Sequence, residues 1–466
     1  MARAFFICPR VAHGKPIETG DIMKTAVSFT AVLRVLAQHT LGMLGLSCYL
    51  LADTFFVSNR LGADGLAALN LAIPLYSLLN GVGLMLGIGG ATRYAVLQAG
   101  GAAEEADRAF TGSLMLGGGA GALFVLAGIL LAEPMGLWMG ADGDTLEMTA
   151  VYLRTIFCFA PCFLLNNILL AFARNDGGRR LAMAGMLAGS FSNILLDYLF
   201  LYPLGGGMFG AALATGLAPV ISLAVLSAWI MKKRNGFHLR RDIPVGRLPA
   251  LCGPGTAAFV TEVSSGVVLV LMNTILLRLE GNRGVAAYGI VANLALVALA
   301  LLNGLSQGMQ PLVSAEAGRG RKKEARRIGR FALLLSLATA GLLYAAALLW
   351  APSLAALFNR DGDPLLGEMA SQGLRLYFAG FVGAGVTMTV ASYCSAAGRP
   401  RTGFALSMLR GFATVVPAVL LFSSWLGLKG VWLSVPVAET LSALAACWIL
   451  LREAKGKAVD IPTAGR

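Results

Sequence analysis

The chain is 466 residues long, 57% hydrophobic and only 13% charged, with a formal net charge of +13 and a mean hydropathy of +0.73. Soluble domains carry roughly a quarter charged residues, so this composition excludes a water-soluble globular protein and marks a polytopic membrane protein. The positive charge does not indicate a nucleic-acid partner, because no aromatic-interleaved soluble module accompanies it.

Residues 1–28, beginning MARAFFICPRVAHGKPIETGD, lack an apolar core long enough for a cleavable signal and are expected to form a cytoplasmic segment. Twelve apolar stretches follow, over 34–57, 66–96, 110–132, 148–172, 180–202, 210–231, 251–279, 285–314, 331–351, 370–395, 403–423 and 429–451. Each is long enough to cross a hydrocarbon core of roughly 30 Å. Helices are expected, because lipid demands an internally satisfied backbone and no stretch alternates at period two as barrel strands would. With the N-terminus inside, 30 of the 37 Lys and Arg fall on inner segments, and only Arg60, Arg278, Arg283, Arg360 and Lys429 fall on outer loops. The positive-inside rule then places both termini in the cytoplasm and makes the runs Lys232, Lys233, Arg234 and Arg319, Arg321, Lys322, Lys323, Arg326, Arg327 topology signals. Trp138, Trp350, Trp425 and Trp432 near outer ends, and Trp229 and Trp448 near inner ends, are expected as interfacial anchors. The seven Cys show no metal-ligand pattern.

Acids within the spans are few: Asp53 in the first, Asp197 in the fifth, Glu262 in the seventh and Glu439 in the twelfth. Each is costly in lipid unless paired, hydrated or functional. Asn193 and Asp197 are four apart and share a helix face. The first and fifth spans run outward, so Asp53 and Asp197 each sit about one turn below the outer end, and Thr215 reaches the same depth in the inward-running sixth span. Two carboxylates, an amide and a hydroxyl at one depth supply hard oxygen ligands for Na⁺, or two acids that share a proton. The alternative is that they are separate, hydrated groups near the headgroups. Glu262 lies deeper, where it either attracts a cationic substrate or a second ion, or hydrogen-bonds within its bundle. Glu439 is expected to pair inside its bundle, and His39 to be a packing or hydrogen-bonding residue.

The two halves repeat at an offset of about 220 residues: Asp53-Thr54 faces Asn273-Thr274, GLAAL from Gly65 faces GVAAY from Gly284, ARNDGGRR from Ala173 faces CSAAGRPR from Cys394, and GMFG from Gly207 faces GLKG from Gly427. Six spans per half is even, so the repeat is parallel, as in transporters that hold substrate between two halves near the midplane. The second half does not repeat the acid site, since Asn273, Thr414 and Ala418 stand where Asp53, Asn193 and Asp197 would map. No phosphate cradle or ATP-binding domain is recognisable, so no enzyme is expected and any uphill transport is driven by an ion gradient.

ADTFFVSNRLGADGLAALNLAIP, YLRTIFCFAPCFLLNNILLAFARNDGGRRLAMAGML, SNILLDYLF followed by GMFGAALAT, and GLSQGMQP together resemble multidrug and toxic compound extrusion (MATE) transporters over nearly the whole chain. The resemblance implies an all-α fold of twelve transmembrane helices in two six-helix lobes, here 29–231 and 251–452, joined by a cytoplasmic linker, 232–250, with a tail, 453–466. It implies H⁺- or Na⁺-driven export of amphiphilic, often cationic, organic compounds. The family's N-lobe cation site falls on Asp53, Asn193, Asp197 and Thr215, with Na⁺ as a candidate ligand of these four, and its seventh-helix acid falls on Glu262. The tenth span has no acid where some members carry Asp. The expected partners are a small-molecule substrate and the lipid bilayer of a bacterial inner membrane, with the protein acting as a monomer and without a cofactor. The alternatives are a flippase or exporter of a lipid-linked or anionic metabolite, and a non-transporting membrane receptor.

Overall fold

The computed structural model describes residues 29–231, 235–243, 246, 248–358 and 363–454. The expected segment 1–28, the run Lys232, Lys233, Arg234 and most of the tail lie outside these residues. Among the described residues there is no strand.

The helices follow the apolar stretches but extend past their ends. We number them α1 (Phe29–Gly62), α2 (Asp64–Ala99), α3 (Ala103–Trp138), α4 (Gly143–Cys158 and Ala160–Asn175, bent by 50°), α5 (Arg179–Leu201) and α6 (Gly207–Ala228). The second half gives α7 (Pro249–Gly281), α8 (Arg283–Gly318), α9 (Lys322–Ala356) and α10 (Pro364–Tyr377 and Gly380–Ala396, bent by 43°). The stretch Pro400–Glu453 is 54 residues long, which at about 1.5 Å per residue is more than twice a hydrocarbon core of roughly 30 Å. Gly427, at φ 57°, breaks it into α11 (400–426) and α12 (428–453), giving twelve spans among the described residues.

The repeat is written into the backbone. Gly62 (φ 68°, ψ −153°) turns α1 into α2, and Gly281 (φ 62°, ψ −151°) turns α7 into α8 with nearly the same angles. A side chain at such a positive φ is strained, so glycine makes the turn in both halves. The bends in α4 and α10 also correspond. One feature does not repeat: α11 contains a turn of π-helix over Leu409–Thr414.

Each half has its own packed interior. Leu79, Leu153, Ile156, Phe157 and Leu164 form the larger buried cluster of the first half, and Met272, Leu276, Val291, Leu374 and Trp432 that of the second. Trp432 therefore corrects the expectation of an interfacial anchor: it is fully buried because its helix turns that face toward α8 and α10. Trp138, Trp350, Trp425 and Trp448 are exposed near helix ends, as expected. Since lipid is as apolar as the core, association relies on close packing rather than on water exclusion. At Gly87 of α2, an added Cβ would stand 2.6 Å from the backbone carbonyl oxygen of Asn167 in α4.

The halves meet in the portions of α1, α2, α7 and α8 nearest the basic loops, which we call the basic face. There Val32 and Leu36 join a cluster with Leu305, Met309 and Val313, and Gly304 and Gly308 of α8 lie against Thr40 and His39 of α1. The stretch after α6 is strapped to the first half. The backbone N–H groups of Gly236, His238 and Arg240 donate to Asp176 Oδ2 (2.6 Å), Asp107 Oδ1 (2.9 Å) and Thr111 Oγ1 (3.0 Å). Arg108 hydrogen-bonds Asp242 and holds its carboxyl below the usual carboxylate range.

Gly87→Ala should destabilise the protein by about 1–3 kcal/mol through overpacking. Gly118→Ala in α3, where an added Cβ meets nothing within 4 Å, should be neutral or stabilise by up to about 1 kcal/mol. Unfolding midpoints of both variants in one detergent check this; equal midpoints would refute the close-approach role of Gly87.

Candidate functional site

Asp53, Asn193, Asp197 and Thr215 come together inside the first half. Asp197 lies one turn from the end of α5, as expected, but α1 continues to Gly62, so Asp53 sits about 13 Å below its helix end rather than one turn. Asp53 is 4% exposed and Asp197 0%, which rules out separate acids hydrated at the headgroups. The Asn193 amide, oriented to suit its surroundings, donates to Asp197 Oδ2 at 3.1 Å and accepts from the Thr215 backbone N–H at 3.3 Å. Thr215 Oγ1 donates to the Ala211 carbonyl at 3.1 Å. Asp53 and Asp197 interact electrostatically, and Tyr152 of α4 lies within reach of both carboxylates and against Thr215.

With these bonds made, Asp53 Oδ1 and Asp197 Oδ1 remain buried with no hydrogen-bond partner. A buried carboxylate oxygen without a donor is expensive. Two at one place repel if both acids are ionised. A proton on either acid, or a small monovalent cation held by the two carboxylates, would relieve both penalties. The donor set is all hard oxygen, which fits H⁺ or Na⁺.

Glu262 stands apart from these four, at the meeting of the halves. It accepts from Asn80 Nδ2 of α2 at 2.9 Å, and Asn80 Oδ1 accepts from Asn167 Nδ2 of α4 at 3.0 Å. The hydroxyls of Tyr76 and Tyr49 lie 3.1 Å apart; Tyr49 is one turn before Asp53, and Tyr76 is within electrostatic reach of both Asp53 and Glu262. Sequence reasoning missed Tyr49, Tyr76, Asn80, Asn167 and Tyr152. The two amides carried the same signal as Asn193, a polar side chain in an apolar span. The tyrosines carried none.

In the second half Glu439 pairs as expected, through Arg410 Nε at 2.8 and 3.0 Å. Arg410 lies within α11 in its π-turn. Thr414, at the position corresponding to Asn193, hydrogen-bonds Ser442 at 3.2 Å. His39 lies 3.2 Å from Arg174 Nη1, a hydrogen-bonding residue as expected.

A family model described as MatE matches residues 40–199 and again 256–420, one match in each half. The chain is 27% identical over 438 residues to the multidrug export protein MepA of Staphylococcus aureus (strain MSSA476), covering 91% of this chain and 94% of that protein. It is likewise 27% identical over 414 residues to MepA of Staphylococcus saprophyticus, covering 87% and 90%. Among solved structures, a crystal structure of MATE in complex with MaL6 superposes with a TM-score of 0.85 at 23% identity, over 91% of this chain and 96% of the other. An outward-facing conformation of a multidrug resistance MATE family transporter of the MOP superfamily does so with a TM-score of 0.85 at 24% identity, over 91% and 95%. With the repeated six-helix halves, the buried acid pair in the first of them and a family match that spans both, the chain belongs to the MatE family of membrane transporters.

Proposed function

We propose that the protein is a secondary antiporter that exports amphiphilic, often cationic, organic compounds in exchange for H⁺ or Na⁺ by alternating access. The observation that carries this reading is the pair of buried, partnerless oxygens on Asp53 and Asp197. Ion entry removes their repulsion, and ion loss restores it. A ligand shifts a conformational equilibrium only through different affinity for the two states, and α1 supplies the link: it carries Asp53 and, nearer the basic face, packs along α8 of the other half. A change in helix position at Asp53 therefore reaches the contact that closes the basic face.

Substrate is held between the halves, where Glu262 favours cations and Asn80 and Asn167 offer amides. The multidrug export function named for the staphylococcal relatives supports this assignment. The protein sits in a bacterial inner membrane with both termini cytoplasmic, works as a monomer and needs no cofactor.

In proteoliposomes, an imposed pH or Na⁺ gradient should drive export of a lipophilic cationic dye. Whichever gradient works identifies the coupling ion; no flux under either would overturn the antiport reading. Asp53→Asn should reduce gradient-driven flux to the level of protein-free liposomes while dye binding persists, and Asp197→Asn should do nearly the same. Flux at the parent rate in Asp53→Asn would reduce the acid pair to a structural feature.

Glu262→Gln should weaken export of permanently cationic dyes more than of neutral ones, as measured by their relative efflux rates. Equal losses would remove its charge-selecting role. For topology, a cysteine replacing Asp144, exposed at the start of α4, should react with an impermeant thiol reagent from outside intact cells on a cysteine-free background. Labelling only in inverted vesicles would reverse the orientation.

A further inference from the structure

Several arginines of the basic face are held by acids. Glu316 pairs with Arg319 and Arg321 at 2.8 and 2.7 Å. Glu453 pairs with Arg399 and Arg326 at 2.8 and 3.3 Å. Arg174 near the end of α4 and Arg179 at the start of α5 flank the loop that corresponds by repeat to the loop of Arg399, and among the described residues no ion pair joins either to a carboxylate. Arg174 Nη1 faces only the His39 ring, at 3.2 Å, and Arg179 Nε is buried with no hydrogen-bond partner.

Both guanidiniums line one cleft with His39 of α1, Met183 and Met186 of α5, and Gly308 of α8. Its cavity of about 10 Å³ holds about one water-sized atom, enough for a single oxygen of a larger anion seated at the mouth. The depth is informative. At 36 residues, α8 is about 54 Å long, and a core of roughly 30 Å leaves about 12 Å beyond each boundary. Gly308 is ten residues from the end of α8, and Arg179 begins α5, so the cleft lies at the boundary between hydrocarbon and headgroups.

We propose that this cleft binds the phosphate of an anionic phospholipid, with Arg174 and Arg179 donating to its oxygens and the acyl chains lying along Met183 and Met186. Guanidinium forks suit phosphate, and basic pockets between helices at this depth are suited to acidic headgroups. Inorganic phosphate offers the same oxygens but no chains for the methionine-lined side. The cleft is built from α1, α4 and α5 of one half and α8 of the other, so the lipid ties the halves together at the basic face.

The test is the unfolding midpoint of the full chain in neutral detergent, titrated with phosphatidylglycerol, phosphatidylcholine or inorganic phosphate, with lipid retention followed by native mass spectrometry. Phosphatidylglycerol should raise the midpoint by several degrees and phosphatidylcholine should not. Apparent affinity for phosphatidylglycerol should fall roughly tenfold or more in the Arg174→Gln, Arg179→Gln double variant, and should not change in Arg180→Gln. Equal effects of the two lipids, or undiminished affinity in the double variant, would overturn the site. Protection by inorganic phosphate equal to that by phosphatidylglycerol would overturn the lipid as its occupant. If the double variant does not fold, the two lipids on the unaltered protein and the Arg179→Gln single variant decide the question.

Discussion

A charge inside a hydrocarbon layer must find its partner within the protein or carry one in from outside. Most buried charges here have internal partners. Glu439 holds Arg410 in the second half, Glu453 holds Arg399, and Glu316 collects Arg319 and Arg321. The carboxylates of Asp53 and Asp197 each satisfy at most one oxygen within the protein and leave the other bare. Neighbouring residues of the first half hold the pair in place: Asn193 joins Asp197 to the backbone of α6, and Tyr152 of α4 lies within reach of both carboxylates.

The two halves show how one backbone plan serves two electrostatic purposes. The turns at Gly62 and Gly281 are nearly superimposable in angle, and α4 and α10 bend at matching points. The polar contents differ. Where the first half collects like charges, the second pairs opposite ones, and Arg410 with Glu439 is neutral as a unit. A buried ion pair is costly to make but very costly to break, so the pair of Arg410 and Glu439 helps to hold α11 against α12.

Much of this was legible from the sequence. Span number and parallel repeat follow from hydropathy, and the four residues Asp53, Asn193, Asp197 and Thr215 were singled out as polar groups in apolar spans, although the depth assigned to Asp53 was wrong. What was lost has physical reasons. Hydropathy ended the first span at residue 57 because Ser58, Asn59 and Arg60 are polar, yet the helix continues with these residues exposed and Arg60 Nε donating to the Leu201 carbonyl at 3.3 Å. Trp432 was misplaced because a linear profile does not reveal which helix face meets a neighbour. The pairing of Arg410 with Glu439 was not foreseen because the two lie 29 residues apart on different helices. Tyr49, Tyr76 and Tyr152 were invisible because tyrosine is unremarkable in a membrane span.

The strap after α6 sets a mechanical limit. Its last anchor, Asp242, is fixed to α3, and α7 begins at Pro249, leaving a leash of seven residue steps that, fully extended, reaches about 25 Å at most. Any parting of the halves at the basic face must keep the start of α7 within that radius of its tether. The leash thus sets the largest separation that the start of α7 can reach from α3 while Arg108 and Asp242 stay joined.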